Sequence, residues 1–142
     1  ELIDKIFRVN VRAPFAMVRA FEPLLRSAKG CVVNITSIAA QTAMGSNVAY
    51  CASKSAVENM TRSLARALSP DIRVLAVAPG LVDTEFVKGL DDEWRNAQEQ
   101  STPLKRLASD LEVANAVYAA AELLTFSTGN TIAVDGGRPL GN

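Results

Sequence analysis

The 142-residue sequence contains no histidine, only two cysteines and few aromatic residues, which make up 6% of the chain. The lack of histidine excludes a Ser-His-Asp triad, a Cys-His dyad and a zinc site built on imidazole. Cys31 and Cys51 lie 20 residues apart and show no CxxC spacing. They therefore predict neither a zinc knuckle nor a disulfide framework. We therefore predict no metal site, and we expect two small buried thiols in a reduced, cytoplasmic protein.

Charge of one sign and long apolar runs are also lacking. Fifteen basic residues balance 15 acidic ones, so no electrostatic feature favours nucleic acid or an anionic membrane as a partner. No apolar run approaches the roughly 18 residues of a membrane span, and no basic start precedes an apolar signal core. The 49% apolar content is instead typical of a globular core.

Three short apolar runs, rich in β-branched residues, predict strands over 31–36, 72–78 and 131–134. Because the first two are nearly all apolar rather than alternating, they are typical of strands buried on both faces of a parallel sheet. Helix-like segments separate them. This alternation favours a doubly wound, Rossmann-like α/β fold with right-handed crossovers.

Helical spacing covers most of the rest of the chain. The pattern predicts a helix over 2–27, with a bend or a break near Ala13 and near Glu22, the residues that precede its two prolines. The strongest helical pattern covers 48–68, and a capping-box sequence, SDLE, precedes an alanine-rich helix over 113–124.

The strongest helix carries the first candidate for chemistry. Tyr50 and Lys54 are four residues apart, so both side chains emerge on one face, one turn apart. A tyrosine hydroxyl is a poor acid or base near neutrality, but a neighbouring ammonium favours the phenolate. Tyr50 is therefore a candidate proton donor and acceptor, although the pair by itself is equally compatible with an ordinary amphipathic helix.

A serine strengthens this hypothesis. Ser37 lies 13 residues before Tyr50, just past the end of the first predicted strand. Its hydroxyl could donate a hydrogen bond to the same substrate oxygen that Tyr50 protonates. Thr84 and the Pro79-Gly80 turn likewise follow a strand, and ligands of doubly wound sheets bind at these carboxyl ends.

Four ordered segments now identify a resemblance, namely GCVVNITSIAA, YCASK, VLAVAPGLVDT and TGNTIAVDGG. Their order and spacing resemble those of the short-chain dehydrogenase/reductase family over essentially the whole chain. The resemblance implies an oxidoreductase that transfers hydride between NAD or NADP and a small carbonyl or secondary-alcohol substrate. It also implies a homo-oligomer, a dimer or tetramer, in which helix 48–68 packs against its copy, with Met60, Ala67 and Leu68 as apolar surface.

The resemblance also implies roles for individual residues. Tyr50 would be the acid/base, and Lys54 would favour its phenolate and hold the nicotinamide ribose hydroxyls. Ser37 would polarise and position the substrate oxygen. Asn10, in the segment FRVNV, matches the family's fourth catalytic residue, which bends its helix and holds a water for proton relay to Lys54.

The segment PGLVDT resembles the family's cofactor loop. Pro79 and Gly80 would form its turn, the Val82 backbone would meet the cofactor carboxamide, and the Thr84 hydroxyl would contact the cofactor. Leu75 stands where the family often has asparagine in the preceding strand.

The Gly-rich phosphate loop of such enzymes is not found in residues 1–142. The sequence also starts at Glu1 within a helical pattern. We therefore expect residues 1–142 to be the carboxyl-terminal half, with about three strands, of one Rossmann-like domain of about 250 residues.

Other functions remain open. Within the family, a 3-oxoacyl thioester reductase and a sugar, steroid or small-alcohol dehydrogenase are equally compatible with residues 81–103, a predicted helical excursion or lid that mixes Phe86, Val87 and Trp94 with charges. A hydrolase with Lys54 as base for Ser37 lacks a GxSxG or SxxK motif. A non-catalytic binding module would have no physical need for the catalytic set.

Overall fold

The computed structural model describes residues 1–140, without the side chains of Phe86 and Lys88. Strands β1 (Cys31–Ile35), β2 (Arg73–Pro79) and β3 (Thr131–Val134) form one parallel sheet in the order β1-β2-β3, which confirms the predicted α/β fold. The α-helices are α1 (Leu2–Phe7), α2 (Ala13–Ala28), α3 (Ala39–Thr42), α4 (Val48–Leu68), α5 (Glu85–Lys88), α6 (Asp92–Ser101) and α7 (Asp110–Tyr118). Two π-helical segments (Arg8–Arg12 and Ala119–Leu123) and a 3₁₀ turn (Arg138–Leu140) complete the described chain.

The central strand forms the core. In β2, the run from Val74 to Val77 has 0% exposure, as predicted for a strand covered on both faces. The same prediction is wrong for β1, where Ile35 is 46% exposed and Asn34 is the one buried residue of the strand. The reason is position, because in the described sheet β1 pairs with β2 on one side only.

The first helical region differs from its prediction at one of two prolines. The expected interruption near Ala13 is confirmed as a change of helix type, since the π-helical segment ends at Arg12 and α2 begins at Ala13. The expected break near Glu22 is wrong, because Pro23 lies inside α2. Pro23 is exposed, and so is Arg19, so water can solvate the Arg19 carbonyl that loses its helical partner.

Helix α4 has the predicted bounds, and Asn47 caps it by accepting a hydrogen bond from Tyr50 N at 2.8 Å. Leu68, expected on an exposed surface, instead packs in the core beside Val18 and Ile72 and is only 6% exposed. Met60 is half-buried, and of the three expected surface residues only Ala67 is exposed.

Both cysteines are free and half-buried, so the expectation of full burial is wrong. Cys31 begins the edge strand β1, where it is only partly covered, and this partial burial raises the pKa of its thiol. Within residues 1–140, no cluster of three or more histidine, cysteine, aspartate or glutamate residues could hold a metal ion. No helix in the same range is long and apolar enough to cross a membrane.

The predicted capping box is present at the start of α7. Ser109 Oγ accepts a hydrogen bond from Glu112 N at 3.2 Å, and a Glu112 oxygen accepts one from Ser109 N at 2.8 Å. Arg106 pairs with the same carboxylate through two nitrogens, at 2.6 and 2.8 Å. These donors lower the pKa of Glu112 to about 2, with Arg106 the largest cause.

This cap makes the stability of the fold depend on pH in the acid range. Because the pKa of Glu112 is about 2 in the folded chain against 4.5 normally, its carboxylate stabilises the fold above about pH 4.5 and loses that effect as pH falls towards about 2. We expect Glu112→Gln to lower the unfolding temperature at neutral pH but not near pH 2. Thermal unfolding followed by circular dichroism measures this, with the exposed Glu93→Gln as control. A difference that persists unchanged at the acid end would contradict the assignment.

Candidate active site

The candidate site lies where β1 and β2 end. After β1 the chain stays against β2, because Thr36 N donates to Val77 O at 2.8 Å and Ile38 N donates to Pro79 O at 3.1 Å. These two bonds hold Ser37 at the carboxyl edge of the sheet, as predicted. Ser37 Oγ accepts a hydrogen bond from Ala39 N at 3.1 Å, which leaves the hydroxyl proton able to donate elsewhere.

Helix α4 presents Tyr50 and Lys54 beside this edge. The Lys54 Nζ atom lies 5.6 Å from the centre of the Tyr50 ring and donates to Ile35 O at 3.0 Å. Thr36 Oγ1 donates to Lys54 O at 3.0 Å. The amino-terminal half of α4 is therefore docked on the end of β1, with an ammonium against the tyrosine ring. Partial burial lowers the pKa of Lys54.

Asn10 contacts the same helix directly, and Ser53 connects it to Tyr50. It lies in the π-helical segment, and its Nδ2 atom donates to Ser53 Oγ at 3.0 Å. Ser53 is completely buried and donates in turn to Tyr50 O at 2.7 Å. The structure thus brings Asn10 to α4, although its described side-chain hydrogen bond goes to Ser53 rather than to Lys54.

Ser53 is not among the residues predicted from the sequence for this arrangement. The available signal was its position three residues after Tyr50, which places both on one helix face. That spacing does not reveal its partner, Asn10 in the π-helical segment, because the partner is 43 residues away.

The segment after β2 is held tightly. Gly80 N donates to Val134 O at 2.9 Å, and a Cβ at Gly80 would lie 3.0 Å from the Cα of Asp135, so the close approach of the two chains requires glycine here. Val82 forms a parallel bridge with Ala108. Thr84 caps α5, its Oγ1 accepting from Val87 N at 3.4 Å.

A cavity of about 700 Å³ opens on this edge. Ser37 and Tyr50 both line it, together with Gly80 from the segment PGLVDT. Its wall is mostly apolar, and the apolar lining residues are Ile38, Met44, Leu81, Val87, Leu90 and Trp94. Gln98 and Arg138 add a polar section. Residues 81–103 do form a helical cover, but the Phe86 side chain lies outside the described part.

The structure does not bring every predicted site residue to this cavity. Asn10, Lys54, Val82 and Thr84 are absent from its described lining, and Pro79 ends the strand beneath it. Lys54 instead lies behind Tyr50, where its ammonium contacts the ring and β1. The cavity therefore combines the phenol of Tyr50 with the hydroxyl of Ser37 under a mostly apolar cover.

Comparison with known proteins gives consistent matches. A family model described as enoyl-(acyl carrier protein) reductase matches residues 1–138. Dihydromonapterin reductase of Klebsiella pneumoniae is 35% identical over 144 residues, which cover 98% of this chain and 58% of that protein. A structure of a short-chain dehydrogenase/reductase from Burkholderia xenovorans has a TM-score of 0.88 at 38% identity, covering 98% of this chain and 56% of that one.

A gluconate 5-dehydrogenase from Burkholderia cenocepacia, solved with NADP and tartrate, has a TM-score of 0.89 at 25% identity. The similarity covers 99% of this chain and 57% of that one. The chain therefore spans little more than half the length of the proteins it matches.

Proposed function

This chain belongs to the short-chain dehydrogenase/reductase family, and we propose that the protein is an NAD(P)-dependent oxidoreductase that interconverts a carbonyl group and a secondary alcohol. One observation carries the proposal. Ser37 and Tyr50, which are 13 residues apart on different elements, line one cavity, and the Lys54 ammonium lies against the Tyr50 ring.

Each of the three side chains has its own role at the substrate oxygen. Ser37 donates a hydrogen bond to that oxygen as negative charge develops on it, because its Oγ is already fixed by Ala39 N and its proton is available. Tyr50 supplies the proton in reduction and removes it in oxidation. Lys54 positions Tyr50, because its ammonium lies 5.6 Å from the centre of the tyrosine ring while it donates to Ile35 O at the end of β1.

The residues present fit a nicotinamide cofactor. Lys54 donates one of its three N–H bonds to Ile35 O, so two remain for ribose hydroxyls. The Val82 backbone and the Thr84 hydroxyl follow the close turn at Gly80 and would contact the nicotinamide portion. When bound, the cofactor supplies or accepts the hydride. Either NAD or NADP is compatible with these contacts.

Asn10 completes the proposed catalytic set. Its π-helical segment departs from α-helical hydrogen bonding, and such segments are frequent at functional sites. The contact through Ser53 ties this segment to α4 at Tyr50. We assign Asn10 to a water that relays protons to Lys54.

Two other functions receive less support. A hydrolase would need Lys54 to take the Ser37 proton, but the hydrogen bond described for the Lys54 ammonium goes to Ile35 O. A binding module without catalysis would not need Tyr50 and Ser37 in one cavity. A 3-oxoacyl thioester remains a specific candidate substrate, because a 3-oxoacyl-[acyl-carrier-protein] reductase of Staphylococcus epidermidis is 33% identical over 94% of this chain.

The proposal is tested with purified full-length protein, NADH and NADPH, and a panel of ketones that includes a 3-oxoacyl thioester. We expect loss of the reduced-nicotinamide absorbance with at least one carbonyl compound. Calorimetric titration with each cofactor separates NAD from NADP use. No turnover and no binding of either cofactor would reject the proposed function.

We also propose that the protein forms a homo-oligomer, a dimer or tetramer. An exposed apolar surface supports this, although it lies on α1 and α2 more than on α4, with Phe21 48% and Leu24 68% exposed. We expect light scattering of the full-length protein to give a multiple of the chain mass. A monomeric mass would contradict the proposal.

A further inference from the structure

The cavity has one polar section that the proposed chemistry does not use. Arg138, on the turn that follows β3, and Gln98, on α6, line it together. Arg138 Nη1 donates to Gln98 O at 3.2 Å, and Arg138 Nη2 donates to Gln98 Oε1. These bonds connect two segments 40 residues apart.

This contact determines which way the Gln98 amide faces. A guanidinium has donors only, so the Gln98 oxygen must be the atom turned towards Arg138. The amide nitrogen is then left with two N–H donors. Arg138 has five donors, of which these bonds use two. Among the hydrogen bonds of residues 1–140, no second side-chain acceptor takes the remaining donors of this polar section.

The charge of this section is not balanced within the described chain. Of the described side chains that line the cavity, only Arg138 carries a full charge at neutral pH. No ion pair joins Arg138 to a carboxylate in residues 1–140, whereas the nearby Arg95 pairs with Asp83 at 3.0 Å. A cation beside an apolar wall attracts an anion strongly, because the local dielectric is lower than that of water.

We propose that Arg138 and Gln98 bind a carboxylate on the substrate, so that the enzyme prefers oxo acids to neutral ketones. The inference rests on the proposed oxidoreductase function and specifies its substrate class. The substrate places its carbonyl oxygen between Ser37 and Tyr50, its apolar body against residues such as Trp94, and its carboxylate at Arg138.

The test compares straight-chain oxo acids of several lengths with their methyl esters, using full-length protein and reduced cofactor. Arg138→Met keeps much of the side-chain length but removes the charge. We expect kcat/KM for the preferred acid to fall about ten- to a hundredfold, mainly through KM, while the ester changes by less than about threefold. Arg138→Lys should recover part of the preference for the acid.

Controls separate this role from a structural one. Arg66→Met removes an exposed arginine on α4 and should change neither substrate. If Arg138 only tethers α6, Arg138→Met will lower kcat/KM for acid and ester equally, which would overturn the inference. Turnover of esters and neutral ketones with no preference for acids in the parent protein would also overturn it, while leaving the oxidoreductase intact. No turnover of any carbonyl compound would reject the proposed function and the inference with it.

Discussion

Tyr50→Phe should lower kcat by about a thousandfold on any substrate that the protein reduces. Tyr50 is the residue of α4 that lines the cavity, and the substitution removes its hydroxyl, the proposed proton donor to the substrate oxygen. Positioned acid–base groups contribute about 10²–10⁴ in rate. The ring remains, so its contact with Lys54 and its place in the cavity wall are retained. We therefore expect KM to change little. Steady-state rates from the nicotinamide absorbance measure both constants.

The chain offers a matched control for this variant. Tyr118 is the other of the two tyrosines and is 60% exposed at the end of α7. Tyr118→Phe should retain the parent rate. If Tyr50→Phe also retains it, the acid/base assignment is wrong and the proton must come from another group.

Ser37→Ala should lower kcat by about a hundredfold. It removes the cavity hydroxyl to which we assign donation to the developing oxyanion, and loss of one such donor costs about 10²–10³ in kcat. The same hydroxyl also accepts from Ala39 N, so the variant loses a local bond as well. The unfolding temperature of the variant should be measured together with its kinetics. If the loss of the bond from Ala39 N is the only effect, the unfolding temperature falls and kcat is retained.

Two further variants show whether a loss of kcat in Ser37→Ala comes from the missing hydroxyl. Ser63→Ala removes an exposed serine from α4 and should leave kcat unchanged. Ser37→Thr keeps a hydroxyl and should retain more activity than Ser37→Ala. Equal activity in Ser37→Ala and the parent protein would reject the proposed role of Ser37 in stabilising charge.

The prediction of secondary structure succeeded where the controlling interactions are local. The apolar periodicity over 48–68 and the Ser109 capping box depend on residues three or four apart, and both appear as expected. The apolar run over 131–134 likewise became β3. The expected break near Pro23 failed, since the cost of a proline depends on whether the carbonyl it leaves unpaired can reach water.

In the candidate site, too, the features that depend on local spacing were predicted and those that depend on distant partners were not. Tyr50 and Lys54 were predicted to share a face because a helix repeats every 3.6 residues, and the ammonium does lie against the ring. Ser53 and Arg138 were not identified, because each depends on a partner 43 or 40 residues away. No local spacing encodes such a pair.

The α/β class, the family and the residue types available for proton transfer can all be predicted from the sequence, because they follow from local periodicity and from ordered motifs. Which side chains meet depends on the tertiary fold. It placed Ser37 and Tyr50 in one cavity, turned Leu68 into the core and set Arg138 against Gln98. The physical reason is that burial, charge compensation and hydrogen-bond partners arise from packing between distant segments, which short-range patterns do not specify.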